Sequence, residues 1–162
     1  MTAIHIGPLQ PSHRPRIEEI VRATGVFSDD EVAVALELFD SGDADYEFVG
    51  AFSGDVLVGY ACFGAIPATD RSFDLYWIAV HPDAQGSGAG GALMSEIERV
   101  LVQRSARMVV IETSSRADYA PTRRFYHKRG YLESARLRDF YAPGDDRVVL
   151  TKRVAVSSLQ PA

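Results

Sequence analysis

The sequence predicts one mixed α/β domain, with a central sheet of six or seven strands flanked by about four helices. Three observations carry this expectation. Runs rich in β-branched and aromatic residues recur along the chain, and amphipathic helical runs lie between several of them. A nearly all-apolar segment, Phe73–Val80, then leads into a glycine-rich loop and a helix, as expected of a central strand covered on both faces. A length of 162 residues suits a single domain, and 46% hydrophobic against 24% charged residues supplies a core.

Ile4-His5-Ile6, closed by Gly7-Pro8, reads as a first strand. Ile17, Ile20 and Val21 fall at helical spacing within Ser12–Thr24, and Gly25 ends that helix. Ser28-Asp29-Asp30-Glu31 is a capping box, with Phe27 and Val32 placed as its hydrophobic staple. Val32, Leu36 and Phe39 line one face until Ser41-Gly42-Asp43 stops the second helix. Tyr46–Phe52 and Val56–Ile66, joined by Ser53-Gly54-Asp55, predict an antiparallel hairpin.

After the glycine loop, Gly90–Arg104 reads as a helix with Leu93, Ile97, Val100 and Leu101 inward, and Met108–Ile111 as a buried strand. Pro121 suits the start of a fourth helix, and Gly130 suits a left-handed stop after His127-Lys128-Arg129. Tyr131–Arg138 and Arg147–Val154 predict a closing strand pair around a loop, Asp139–Asp146. The domain is expected over residues 1–154, with 155–162 a frayed tail.

Composition narrows the function. No apolar stretch reaches the ~18 residues of a membrane helix, and the first residues lack a signal-peptide pattern, so a cytoplasmic protein is expected. One cysteine, Cys62, excludes a disulfide framework, and His5, His13, His81 and His127 lack a second ligand at zinc spacing, so no metal is expected. Cys62 is expected to pack as a small apolar residue. The net charge of −5 argues against nucleic-acid binding. Residues 1–80 carry 4 arginines against 13 acidic residues, whereas 81–162 carry 13 basic against 9 acidic ones.

Gln85-Gly86-Ser87-Gly88-Ala89-Gly90-Gly91 opens a helix after a buried strand, so successive backbone N–H groups can converge on a phosphate or pyrophosphate. Gly86, Gly88 and Gly91 match the dinucleotide fingerprint G-x-G-x-x-G, with Glu112 near the position of a ribose-binding acid. That alternative, a nicotinamide-dependent oxidoreductase, is disfavoured. Five residues separate the strand from the first glycine, and no second mononucleotide-binding half fits after Glu112.

The spacing Gln85-x-x-Gly88-x-Gly90 resembles the Q/R-x-x-G-x-G/A loop of the GNAT superfamily of acetyl-CoA-dependent N-acetyltransferases. Phe125-Tyr126-His127-Lys128-Arg129-Gly130-Tyr131 resembles that family's F-Y-x-x-x-G-Y/F element, and the order of strands and helices agrees over nearly the whole chain.

The resemblance implies a GNAT fold, acetyl-CoA as cosubstrate and no metal. It implies that the main chain of Ile78, Ala79 and Val80 pairs with the pantetheine arm, the Ile78 amide facing the thioester carbonyl. The amides of roughly Gly86–Gly91, those of Gly86, Ser87, Gly88, Ala89, Gly90 and Gly91, would hold the pyrophosphate, with Gln85 at the head of that coenzyme-binding loop. Tyr126 matches the tyrosine that often serves as general acid; a phenol stays protonated at neutral pH and can donate to a departing thiolate. Asp74, 11 residues before Gln85, stands where histone-acetylating members carry a glutamate base; a solvent-facing strand aspartate is the competing reading, and Glu112 is a second candidate. Tyr119 replaces an asparagine that contacts the coenzyme arm in many members, so either its hydroxyl takes over that contact or the arm is held differently.

The expected activity is acetyl transfer to a primary amine of a small molecule or peptide by direct attack in a ternary complex. A non-catalytic coenzyme A-binding module is the alternative. The acidic first half favours a cationic acceptor, and the loop 138–146 is expected to border its site. Neither nucleic acid nor membrane is an expected partner, and a homodimer is expected only because the family often forms one.

Overall fold

Strand β1 (Ile4–Gly7) pairs antiparallel with β2 (Glu47–Ser53), which pairs antiparallel with β3 (Val56–Ala65). This is the computed structural model of the chain, and it describes residues 3–154; the expected tail lies outside the described residues. Between β1 and β2 run α1 (Arg14–Ala23) and α2 (Asp29–Asp40). The capping box is formed: Ser28 Oγ accepts from the Glu31 amide at 3.2 Å, and Glu31 accepts from the Ser28 amide at 3.0 Å.

Strand β4 (Ser72–Val80) precedes α3 (Ala89–Gln103) and β5 (Met108–Ser114). Helix α4 (Ala120–Lys128) leads to β6 (Leu132–Ala142) and β7 (Asp145–Lys152). The described residues thus form seven strands in one sheet, ordered β1-β2-β3-β4-β5-β7-β6, with four α-helices. β4 and β5 run parallel, whereas β5–β7 and β6–β7 run antiparallel. That mixed order overturns the dinucleotide-fold alternative, which needs a doubly wound parallel sheet.

The chain forms two compact units: one runs to Gly64 and includes Tyr76–Val100, and the other takes in Ala65–Leu75 and the chain from Leu101. In the first, Ile17, Ile20 and Val21 of α1 and Val32, Ala35 and Leu36 of α2 meet Phe52, Leu57, Tyr60 and Ala79 of the sheet. Phe27 and Trp77 pack against this cluster with ring centroids 4.7 Å apart. In the second, β5 buries Val109 and Ile111, and β7 buries Val148 and Leu150.

Two boundaries differ from expectation. β5 continues to Ser114, so Glu112 lies within the strand. The expected loop 139–146 is mostly ladder-flanking strand, closed by a short turn at Pro143-Gly144. Asp139 supplies the reason: it takes φ 56°, its amide donates to Asp146 Oδ1 at 3.0 Å, and its carboxylate accepts from the Gly144 amide at 2.7 Å. A left-handed aspartate absorbs the irregularity that sequence reading assigned to a loop.

Gly64 shows how closely the first unit is packed. A Cβ there would lie 1.8 Å from the Asp45 carbonyl oxygen, backbone that has no flexible end to yield. Gly64→Ala is expected to lower stability by roughly 2 kcal/mol or more, read as a drop in denaturant midpoint. Ala at Gly42, where nothing lies within 4 Å, meets only the cost of a left-handed backbone at φ 64°, about 1 kcal/mol, and should lower the midpoint less.

Candidate active site

The parallel ladder between β4 and β5 covers Ser72–Leu75 against Met108–Ile111. Both strands run on, β4 through Tyr76–Val80. Ala79 is buried, and Ile78 and Val80 are half-buried within the sheet.

A 3-10 turn, Pro82–Ala84, follows β4, with His81 Nδ1 accepting from the Asp83 amide at 3.1 Å. His81 therefore caps this turn. Gly86 and Gly88 then adopt φ 83° and 90°, which side-chain-bearing residues rarely take. A Cβ at either would meet nothing within 4 Å, so open space lies before this stretch of backbone. The residues fit a diphosphate: small, left-handed and leading into the N-terminus of a 15-residue helix.

The loop also corrects its own reading. The Ser87 amide donates to the Ala84 carbonyl at 3.1 Å, and the Ala89 amide to Ser87 Oγ at 3.3 Å. The Gln85 amide is occupied by the Pro82 carbonyl at 3.2 Å. Two of the six amides expected to bind anion, those of Ser87 and Ala89, are thus internally used, as is the Gln85 amide before them. Gly86, Gly88, Gly90 and Gly91 remain, the last two in the first helical turn, where amides have no preceding carbonyl.

The second unit holds Asp74, Tyr119 and Tyr126. Asp74 alternates with buried Phe73 and Leu75 and is half-buried, its Cα opposite that of Val110. Tyr126 is only 4% exposed, between the rings of Phe125 at 5.6 Å and Tyr131 at 6.1 Å. Burial, aided by the Tyr119 phenol, pushes its pKa up, so Tyr126 is a protonated donor at neutral pH. Glu112, the other candidate base, is exposed and ion-paired to Arg147, which leaves it a structural role. Cys62 is buried and its thiol is pushed up to about 12, chiefly by desolvation and further by Glu47, so it is no nucleophile.

Sequence reading missed the junction between β5, β7 and α4. Ser114 Oγ donates to the buried Asp145 carboxylate, and also accepts from the Arg116 amide at 3.0 Å. Arg123 of α4 donates to the carbonyls of Ser114 at 2.7 Å and Arg116 at 2.8 Å, which anchors the helix carrying Tyr126 to the end of β5. Ser114 and Asp145 are 31 residues apart, and nothing local in the sequence couples them. Ser114→Ala removes a donor from a buried carboxylate and is expected to cost about 1–3 kcal/mol, seen in equilibrium unfolding.

The profile of the Acetyltransferase (GNAT) family matches residues 14–131. A GNAT-family protein from Desulfovibrio desulfuricans superposes with a TM-score of 0.88 at 38% identity, covering 94% of this chain and 100% of the other. The ribosomal-protein-S18-alanine N-acetyltransferase of Escherichia coli gives 0.79 at 20% identity, covering 98% and 99%. A Salmonella typhimurium protein solved with acetyl-CoA gives 0.75 at 20% identity, covering 99% and 98%. No curated protein matches the sequence. The family profile over most of the chain and the 38% relative agree with the sheet order, the glycine loop and the buried tyrosine: the chain belongs to the GNAT family of acetyltransferases.

Proposed function

We propose that the protein transfers the acetyl group of acetyl-CoA to a primary amine of a small molecule or peptide by direct attack in a ternary complex. The observation that carries this reading is the stretch from Tyr76 to Gly91. There the β4 main chain runs past its ladder with β5 and ends in a loop with unused amides before a helix N-terminus.

Gly86, Gly88, Gly90 and Gly91 hold the pyrophosphate through their amides. The Ile78 amide donates to the thioester carbonyl, where negative charge grows as the amine attacks. Tyr126 donates its phenolic proton to the departing sulfur. An amine is mostly ammonium at neutral pH, so Asp74 takes its proton through a water, as its short side chain favours. The E. coli neighbour acts on an alanine of a ribosomal protein, which supports including peptide N-termini among the acceptors.

Thiol release from acetyl-CoA, assayed across amino acids, polyamines, aminoglycosides and peptide N-termini, tests the reading. Release should depend on one acceptor class. Coenzyme binding with no transfer to any amine would reduce the protein to a binding module. Tyr126→Phe should lower kcat on the order of a hundredfold while leaving acetyl-CoA affinity within twofold. Gly88→Val should raise the acetyl-CoA Kd on the order of tenfold, equivalent to ~1.4 kcal/mol, as measured by calorimetry.

A further inference from the structure

The first unit holds a cavity of about 200 Å³ beside the turn that leads into the glycine loop. Its volume is below the ~300 Å³ at which sites for drug-sized ligands begin, so a nucleotide does not fit it. Three polar side chains line it, each from a different part of the fold: Arg16 of α1, Ser53 at the end of β2 and His81 after β4. Each keeps hydrogen-bonding capacity that the described residues leave unused.

His81 Nδ1 accepts the Asp83 amide at 3.1 Å, so in the neutral ring the proton sits on Nε2, which is a donor. The side chain is only 16% exposed, and Nε2 has no partner among the described residues. Arg16 Nε donates to the Leu57 carbonyl at 2.8 Å, which fixes the guanidinium, and Nη1 lies 3.2 Å from Glu19 Oε1. Its Nη2 is unused, as is the Ser53 hydroxyl, among the described residues.

Three donors suit an anion, and the surrounding charge sets which kind. Arg16 brings one positive charge, part of which Glu19 offsets. Asp83 stands on the rim, its side chain 94% exposed and its Oδ2 3.7 Å from His81 Nδ1. A dianion would meet both carboxylates, whereas a monoanion faces one guanidinium and two neutral donors. The remaining lining is apolar, from Ile4, Val58 and Ala84. A carboxylate on a short hydrocarbon tail satisfies the donors and the apolar wall together.

We propose that this cavity is a second binding site, separate from that of acetyl-CoA, for a small aliphatic monocarboxylate, and that its occupant tightens acetyl-CoA binding. Ala84 and Ser87 carry the coupling: both line the cavity, and both close the turn that contains Gly86. Ser87 Oγ donates to the Ala84 carbonyl, and the Ser87 amide donates to the same oxygen at 3.1 Å. A ligand packed against these two residues braces the turn before the pyrophosphate arrives, which lowers the ordering cost of coenzyme binding. The coupling rests on the reading of Gly86–Gly91 as the pyrophosphate loop; the site itself does not.

Titration of the full chain, free of coenzyme, with sodium butanoate tests the site, sodium chloride holding the ionic strength constant. The labelled ring nitrogens of His81 should shift saturably, with a Kd on the order of 1 mM. Arg16→Gln should weaken binding on the order of tenfold, and Ser53→Ala about threefold. The second variant keeps the bond from Arg16 to Leu57, so it reads binding without disturbing α1. At saturating butanoate the acetyl-CoA Kd, measured by calorimetry, should fall about threefold. An unmoved His81 signal overturns the proposal, as does equal binding of butylammonium or tighter binding of inorganic phosphate. Unchanged butanoate affinity in both variants overturns it too. A His81 response with no change in acetyl-CoA Kd overturns the coupling. An unaltered acetyl-CoA Kd in Gly88→Val would instead sink the pyrophosphate-loop reading and leave the butanoate titration standing.

Discussion

A peptide N–H with no partner in its own secondary structure is costly to bury and useful to aim. This chain concentrates such groups at one stretch. β4 runs past the four-residue ladder it shares with β5, and the loop after it turns through two left-handed glycines into a long helix. The architecture before it, two helices on a three-strand antiparallel segment, holds that backbone in place through Ala79 and Trp77, whose side chains join the core. The side chains of Ala79 and Trp77 thus pack into the core, while the β4 main chain continues past its ladder with β5.

The second unit solves a different problem, that of placing one phenol. Arg123 reaches the carbonyls that end β5, Ser114 binds the buried Asp145 at the start of β7, and Asp146 donates its amide to Ser115 Oγ at 2.7 Å. Because α4 is only nine residues long, propensity alone would not hold it. Its orientation comes from these side-chain to backbone bonds and from Tyr126 and Tyr131 packing beneath it. These bonds and ring contacts hold the buried Tyr126 phenol in one place.

Much of this was legible in the sequence because the signals are local. The Ser28 capping box, Pro121 near the start of α4 and Gly130 at φ 92° each follow from chemistry within four residues. The glycine loop was legible in kind but not in detail. Ser87 had looked like one more small binding residue, yet its hydroxyl holds the Ala84 carbonyl and accepts the Ala89 amide. What escaped was long-range. Asp139 reads as a loop former until Asp146 and Gly144 are seen to bond it, and Glu112 reads as a free acid until Arg147 is opposite. Composition carries periodicity well and pairings poorly.

The same distinction changes the meaning of the acidic first half. Several of its carboxylates already face arginines: Asp40 meets Arg14, Glu18 and Asp29 meet Arg22, Glu19 meets Arg16, and Asp70 meets Arg71. Their fields are largely cancelled locally, and exposed pairs of this kind are further screened by salt. Among the described residues, Asp43 and Asp45 have no cation against them, and they directly precede β2. There Tyr46 meets Tyr76 of β4 with ring centroids 5.0 Å apart. Carboxylates beside aromatic faces attract ammonium groups by charge and by the ring quadrupole together. The charge total of the first eighty residues thus overstates the negative charge left unpaired there.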